Sequence, residues 1–277
     1  QFVSSALIAE RGNMTDLSLE YVYGINAVAE MIKHNARSIE QVYLQSGRDD
    51  QRLTAIIGAA QQAKIAIATV SKPELLALLA SSNSRDEDEM PNHQGVIASC
   101  RPSQAQDESF LDALVRRNDS PLLLLILDGV TDPHNLGACL RSADAAGAHA
   151  VVIPKDNAVG LTPVVRKVAS GAAETTPLVV VKNLARAIKN LQAAGVWVMG
   201  AAGEAEQSLF QLDLTVNTAL VMGAEGGGLR RLTRERCDSL FTIPMSGAVE
   251  SLNVSVAAGV SLFEALRQRQ SAPHPSS

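Results

Sequence analysis

The sequence predicts an α/β protein: a small mixed unit followed by a larger one built on a parallel sheet. Three observations carry this. Six short apolar runs recur in the second part of the chain: Leu122–Leu127, Ala150–Ile153, Leu178–Val181, Val196–Gly200, Ala219–Met222 and Leu240–Ile243. None alternates with polar residues, which is how strands buried on both faces read. Helical patterns at Leu136–Ala146, Thr162–Ser170, Leu184–Ala194 and Val254–Gln268 separate most of them, so helices flank the sheet.

Residues 1–13 carry no clear element and are expected to be an extension or expression remnant, with Met14 as a native start. Residues 14–100 form the first unit. Gly24 to His34 reads as a helix with Ile25, Val28, Ala29 and Ile32 inward. Val42–Leu44 is a strand, and Gln51–Ala63 a helix with Leu53, Ile56, Ile57 and Ala60 on one face. Ile65–Val70 is a strand, Lys72–Leu79 a helix and Gly95–Ala98 a strand. Ser81–Asn92, with the acids Asp86–Glu89, is a solvated loop. Residues 101–107 lack large apolar groups, carry a proline and form the linker. Residues 108–277 form the second unit.

The chain has 277 residues, 46% hydrophobic and 19% charged, which can bury a full core and excludes general disorder. Its longest aliphatic run, Leu122–Leu127, is far short of the roughly 20 residues a spanning helix needs. No cationic start precedes a long apolar stretch, so no secretory signal and no membrane partner are expected. The 3 cysteines, Cys100, Cys139 and Cys237, lie far apart, and the 5 histidines show no HxxxH spacing. A disulfide framework and a metal site are therefore not expected, and the usage fits a cytoplasmic protein. The net charge of −5 argues against nucleic-acid binding by bulk charge and leaves a local basic patch open.

Candidate chemistry gathers in three loops at predicted strand ends, where parallel sheets place ligands. After Leu122–Leu127 comes a turn at Asp132 and Pro133, then Asn135 as a good N-cap, Gly137 for close backbone approach and Arg141 on the new helix. Arg141 lies among apolar neighbours, where a half-buried ion pair is an alternative. After Ala219–Met222 come Gly223, Glu225, Gly226, Gly227 and Gly228, either a flexible turn or a backbone that wraps a ligand. Their spacing is neither a dinucleotide fingerprint nor a P-loop, and Glu225 would repel a phosphate and favour a cation. After Leu240–Ile243 come Met245, Ser251, Leu252 and Asn253; capping of the last helix accounts for one of Ser251 and Asn253 but not obviously for both. No nucleophile stands near a base, and the cysteines read as packing residues. Arg230, Arg231, Arg234 and Arg236 form a local cationic stretch, either a solvated helix face or an RNA backbone contact.

Taken in order, Asn135-x-Gly137-x-x-x-Arg141, Met222-Gly-Ala-Glu225-Gly-x-Gly228-Leu and Ile243-Pro-Met…Ser251-Leu-Asn253-Val-Ser-Val-Ala resemble the three motifs of the SpoU (TrmH-like) family. These are S-adenosylmethionine-dependent RNA 2′-O-ribose methyltransferases of the SPOUT superfamily. Tyr23-Gly24-Ile-Asn-Ala-Val and His93-Gln-Gly95-Val-Ile-Ala resemble the family's small L30/L7Ae-like substrate-binding domain, so the likeness spans about residues 20–270. The run Leu127 to Gly147 is most similar to the bacterial subgroup that methylates a guanosine in the peptidyl-transferase region of 23S ribosomal RNA.

The resemblance implies a C-terminal domain that is a deep trefoil knot and dimerises, with 23S ribosomal RNA as substrate and no metal. It implies that Gly223, Ile243 and Leu252 touch the cofactor largely through backbone groups, with Met245 nearby. It places Asn135 and Arg141 at the reacting ribose, with Glu225, Ser251 and Asn253 orienting them or the substrate. A guanidinium loses its proton only above about pH 12, so Arg141 is expected to hold phosphate and stabilise the developing alkoxide rather than act as a simple base. Glu225 is a candidate partner for an arginine, including one across the dimer. Two other readings stand beside this one: a transfer-RNA ribose methyltransferase of the same family, and a non-catalytic RNA-binding ribosome-assembly protein.

Overall fold

Two sheets organise the chain. The computed structural model describes residues 19–48, 50–81, 93–101, 104–117 and 120–271. The expected extension at 1–13 and the acids Asp86–Glu89 lie outside the described residues.

The first sheet contains β1 (Glu20–Tyr23), β2 (Ile39–Gln45), β3 (Ala66–Val70) and β4 (Val96–Cys100), in the order β1-β4-β2-β3. Strand β4 is antiparallel to β1 and β2, and β2 is parallel to β3. Every residue of β4 is buried, as its central place demands. Helices α1 (Ile25–Asn35) and α2 (Gln51–Gln62) contribute Val28, Ile32, Leu53 and Ile56 to a core with Val42 and Ala98. Helix α3 (Lys72–Ser81) places Leu75 against Ile97, Tyr21, Tyr23 and Tyr43. Strand β1 is a four-residue edge that the sequence did not announce. Its EYVY is only half-buried and mixes aromatic with polar groups.

The second sheet contains β5 (Leu123–Asp128), β6 (Ala150–Pro154), β7 (Leu178–Val181), β8 (Trp197–Ala201), β9 (Thr218–Gly223) and β10 (Ser239–Phe241). Its order is β10-β8-β9-β5-β6-β7, and every pairing is parallel. The chain lays down β5, β6 and β7 side by side, crosses to the other half for β8, then returns to insert β9 between β8 and β5. The order therefore reverses at β5, and ligands bind at such points, beyond the strands' carboxyl ends.

One face of this sheet packs on α5 (Pro133–Ala145), α6 (Pro163–Ala169), α7 (Ala172–Thr175) and α10 (Val254–Ser271), through Leu136, Cys139, Leu140, Val165, Ala258 and Leu262. The other packs on α4 (Glu108–Arg116) and α8 (Leu184–Ala193), with Leu229 and Cys237 flanking α9 (Arg231–Arg236) at the margin. Burial of each cysteine pushes its thiol up to about 12, as suits packing residues. Helix α4 was not expected. Asp107 caps it, accepting from the backbone N–H of Ser109 at 2.9 Å.

The last helix is anchored at its C-terminal end. Arg269 donates to four carbonyl oxygens: Pro121 at 2.6 Å, Val216 at 2.8 Å, and Leu122 and Leu214 at 2.9 Å. These belong to segments that lead into β5 and β9, so α10 is tied to the entry edge of the sheet. The segment expected as a linker ends by docking: Gln106 donates its N–H to Leu178 O at 2.7 Å and accepts from Val180 N at 2.8 Å, beside edge strand β7. Among the described residues, no helix is long and apolar enough to cross a membrane.

Candidate active site

The middle of the second sheet brings the candidate loops together. The last residues of β5 and β9, Asp128 and Gly223, are register partners. Gly129, just past β5, sits with its Cβ position 3.7 Å from Ala224 Cβ and 4.0 Å from Asn157 O. Val159 N donates to Val130 O at 3.1 Å, so the loop after β6 is also stitched into this edge. That fourth loop was not singled out from the sequence.

Helix α5 starts at Pro133, earlier than Asn135 as N-cap would require. Asp132 is the cap, accepting from His134 N at 2.9 Å, and the fixed φ of Pro133 suits the first helical position. Asn135 is thereby moved into the first turn, buried, with its side chain available for other work. It finds Asn253, 118 residues on. Asn253 Nδ2 donates to Asn135 Oδ1 at 2.9 Å and also to the carboxylate of Glu225. Its Oδ1 accepts from Ser255 N at 2.9 Å and from the Ser255 hydroxyl at 2.6 Å. Asn253 thus caps α10 with one end of its amide and joins two strand-end loops with the other. Within the chain, Glu225 is held by this amide.

Gly223 is required by contact. A Cβ there would lie 2.1 Å from the Gly228 carbonyl carbon, 2.3 Å from its oxygen and 2.4 Å from Leu229 N. The loop doubles back on itself, with Gly228 N donating to Ala224 O at 2.9 Å. Gly226 (φ +73°) and Gly228 (φ +61°) take the turn in the left-handed region. Ile243 is partly buried against the main core. Leu252 is half-buried, and Met245 and Ser251 are exposed. Arg141 is exposed and has no hydrogen bond or ion pair among the described residues, which removes the half-buried ion pair as an account of it.

One charged group at this edge escaped the sequence reading. Asp128, which directly follows the Leu122–Leu127 run, is fully buried. Its carboxylate accepts from Arg230 N at 2.9 Å and from Arg230 Nε at 2.5 Å, pinning the far end of the glycine loop. A carboxylate directly after six aliphatic residues was the available signal. The arginine stretch is largely spoken for: Arg230 pairs with Asp128, Arg231 with Glu235 at 2.7 Å, and Arg234 with Glu204. Among the described residues no group of three or more His, Cys, Asp or Glu is placed to hold a metal ion.

A doubly flanked parallel sheet thus brings its glycine loop, the buried Asn135 and the helix-capping Asn253 together at the switch point, where sheets of this kind bind ligands. The chain belongs to the SpoU rRNA methylase family, whose pattern matches residues 122–263; the family's RNA 2′-O-ribose methyltransferase substrate-binding domain matches residues 21–106. It is 52% identical over 257 residues to the 23S rRNA (guanosine-2′-O-)-methyltransferase RlmB of Pseudomonas syringae pv. tomato, covering 93% of this chain and 99% of that one. It is 51% identical to the protein of the same name from Coxiella burnetii, again covering 93% and 99%. Among solved structures it is similar to the SpoU methyltransferase AviRb of Streptomyces viridochromogenes in complex with AdoMet. There the TM-score is 0.72 and the identity 26%, with 96% of this chain and 97% of that one covered.

Proposed function

We propose that this chain transfers a methyl group from S-adenosylmethionine to the ribose 2′-hydroxyl of a guanosine in 23S ribosomal RNA. One observation carries the chemical part: the Asn253 amide links Asn135 to Glu225 at the carboxyl edge of β5 and β9. The substrate follows from relatives that are 51–52% identical over nearly their whole length and carry that activity in their names.

The residues present fit the cofactor. Gly226, Gly227 and Gly228 have open space where a Cβ would stand, so their backbone is accessible for polar contacts. Ile243, Met245 and Leu252 offer apolar groups for a purine face, and the Glu225 carboxylate suits a cationic ligand. When bound, S-adenosylmethionine supplies an already activated methyl group. The protein's task is to place the ribose hydroxyl in line and to ease its ionisation.

Asn135 is set up as a donor. Asn253 Oδ1 is committed to Ser255, so its Nδ2 must face Asn135 and Glu225; Asn135 Oδ1 is committed in turn. The Asn135 amide N–H groups are what remains to offer a ribose or phosphate oxygen. Arg141, exposed and unpaired among the described residues, holds a phosphate through its fork and stabilises the alkoxide as it forms. Ser251, exposed before the last helix, orients the substrate. We also read the second unit as the deep trefoil knot that the resemblance implies.

A homodimer formed through the second unit is part of the same reading. Val256 and Phe263, seven residues apart on α10, are each 49% exposed, an apolar face that a second copy would cover. A protein that works on ribosomal RNA also belongs in the cytoplasm. The test is incubation with labelled S-adenosylmethionine and unmodified 23S ribosomal RNA or transfer RNA, followed by mapping of the labelled ribose. Label on a 23S guanosine, lost in Arg141→Ala, is the expected result. Label on transfer RNA, or full activity of Arg141→Ala, overturns the substrate or the arginine's role respectively.

A further inference from the structure

The two units meet through charged groups that the methyl-transfer site does not use. Arg166, on α6, keeps only 10% of its side chain exposed, as does Glu174 on α7. The Arg166 guanidinium lies between two carboxylates: Nε is 2.6 Å from Glu20 Oε2, and Nη1 is 2.7 Å from Glu174 Oε1. Glu20 belongs to β1 of the first unit. The second Glu174 oxygen accepts from Asn35 Nδ2, at the end of α1, at 2.9 Å. Gly171, opening α7, has its Cβ position 4.0 Å from Glu30 Cβ of α1. Both ends of the first unit's α1 and β1 layer are thus held by one short stretch, Arg166 to Glu174.

Two features separate this junction from ordinary adhesion. Its ionic groups are largely buried, and burial pushes the Glu20 carboxyl above its usual range despite the arginine. Apolar groups would join the surfaces at lower cost, and buried ionic groups of this kind serve geometry better than stability. Next, the junction abuts the catalytic helix without slack. A Cβ on Gly137 would lie 2.7 Å from Val168 Cβ and 2.8 Å from Val165 O, the residues that bracket Arg166 on α6. Gly137 itself lies between Asn135 and Arg141 on α5. A displacement of the first unit is therefore resisted one helix away from the groups that meet the ribose.

From this we infer that Glu20, Asn35, Arg166 and Glu174 form a latch that fixes the RNA-binding unit against α6 and α7, so that RNA held by the first unit reaches α5 in register. They are positioning residues, and the inference rests on the functional reading above. The latch acts on capture and placement of RNA, and leaves the cofactor loops after β9 and β10 untouched.

The test is a polarity swap in the full-length protein. Asn35→Asp sets a second carboxylate against Glu174 with almost no change of shape. Adding Glu174→Gln restores the bond with its direction reversed: the new amide donates to the carboxylate introduced on α1, while its oxygen still accepts from Arg166. Asn35→Asp should raise KM for unmodified 23S ribosomal RNA about tenfold and increase the radius of gyration in small-angle X-ray scattering. Affinity for S-adenosylmethionine and kcat should stay within twofold of wild type. The double variant should recover KM and the compact scattering curve. An unchanged KM, a parallel loss of kcat and cofactor affinity, or a double variant no better than the single would each overturn the latch. Should wild type transfer no methyl to 23S ribosomal RNA, the functional reading fails. The scattering of the three proteins still decides whether the units are latched.

Discussion

Replacing Gly223 by alanine tests the architecture of the glycine loop most sharply. The added Cβ would stand 2.1, 2.3 and 2.4 Å from three main-chain atoms of Gly228 and Leu229. Carbon atoms rest at about 3.5–4.0 Å, so the opposing backbone must retreat by more than about 1 Å. It is poorly placed to do so, because Asp128 holds Arg230 N at 2.9 Å and Gly228 N is bound to Ala224 O. Overpacking costs about 1–3 kcal/mol where side chains can shift, and with only main chain to move about 3 kcal/mol is a lower figure. At about 2–4 °C per kcal/mol the melting temperature should fall by roughly 6–12 °C. Affinity for S-adenosylmethionine should be lost with it. Two neighbours calibrate the experiment. Gly227 has open space and no left-handed φ, so Gly227→Ala should be close to neutral in melting temperature. Gly226 has open space but φ of +73°, so Gly226→Ala should cost about 1–2 kcal/mol from backbone strain alone. Scanning calorimetry and titration of S-adenosylmethionine read all three. If Gly223→Ala melts with Gly227→Ala and binds the cofactor as wild type does, the close crossing is not there.

Asn253→Asp keeps the cap on α10 but turns the donor facing Asn135 and Glu225 into a third acceptor. Methyl transfer should fall on the order of 10²-fold while the melting temperature stays near wild type, and an unchanged rate of transfer would show that capping is its main role. Arg269→Met leaves four carbonyl oxygens without their donor at the foot of α10. Chemical denaturation should show a loss of about 3 kcal/mol, and a loss under about 1 kcal/mol would mean water replaces the guanidinium. Cys100, Cys139 and Cys237 have thiols pushed to about 12 against an ordinary 9.0, mainly by burial. At pH 8 the thiolate fraction is then about a thousandfold lower than in the unfolded chain, and labelling by a disulfide reagent should be slower in proportion. The sign follows for stability: a raised thiol pKa contributes fully below 9 and is lost as pH rises toward 12. Rapid labelling of the native protein at pH 8 would contradict this burial.

What was legible in the sequence, and what was not, divides along one physical line. A run such as Leu123–Leu127 is buried because of what it is, so the parallel sheet could be read locally. Strand β1 could not, since EYVY becomes a strand only when β4 arrives to pair with it, Glu20 opposite Cys100. The motif loops were found because their residues are unusual in place, yet four glycines that look alike turned out to have different reasons. Gly223 avoids a collision, whereas Gly226 and Gly228 supply left-handed turns. Asn253 was posed as either cap or site residue, and its amide has two ends, which serve both. Asp128 and Arg230 are 102 residues apart, and nothing near either one announces the other. Family resemblance supplied the grouping of Asn135, Glu225 and Asn253, a fact about three distant segments that no local pattern contains.

The bonds between Gln106 and the outermost strand of the larger sheet have a bearing on more than domain attachment. A parallel sheet that stops at β7 would present a row of unsatisfied amide and carbonyl groups to any other extended chain. By laying Gln106 along that margin, the connecting segment closes off part of it. Shortening this connector, or replacing it by a flexible glycine–serine stretch, would therefore do two things at once. It would loosen the smaller unit, and it would leave a sticky border where one copy could stitch onto the next. Engineered separation of the two halves is best made before residue 104, so that the larger half keeps its own seal.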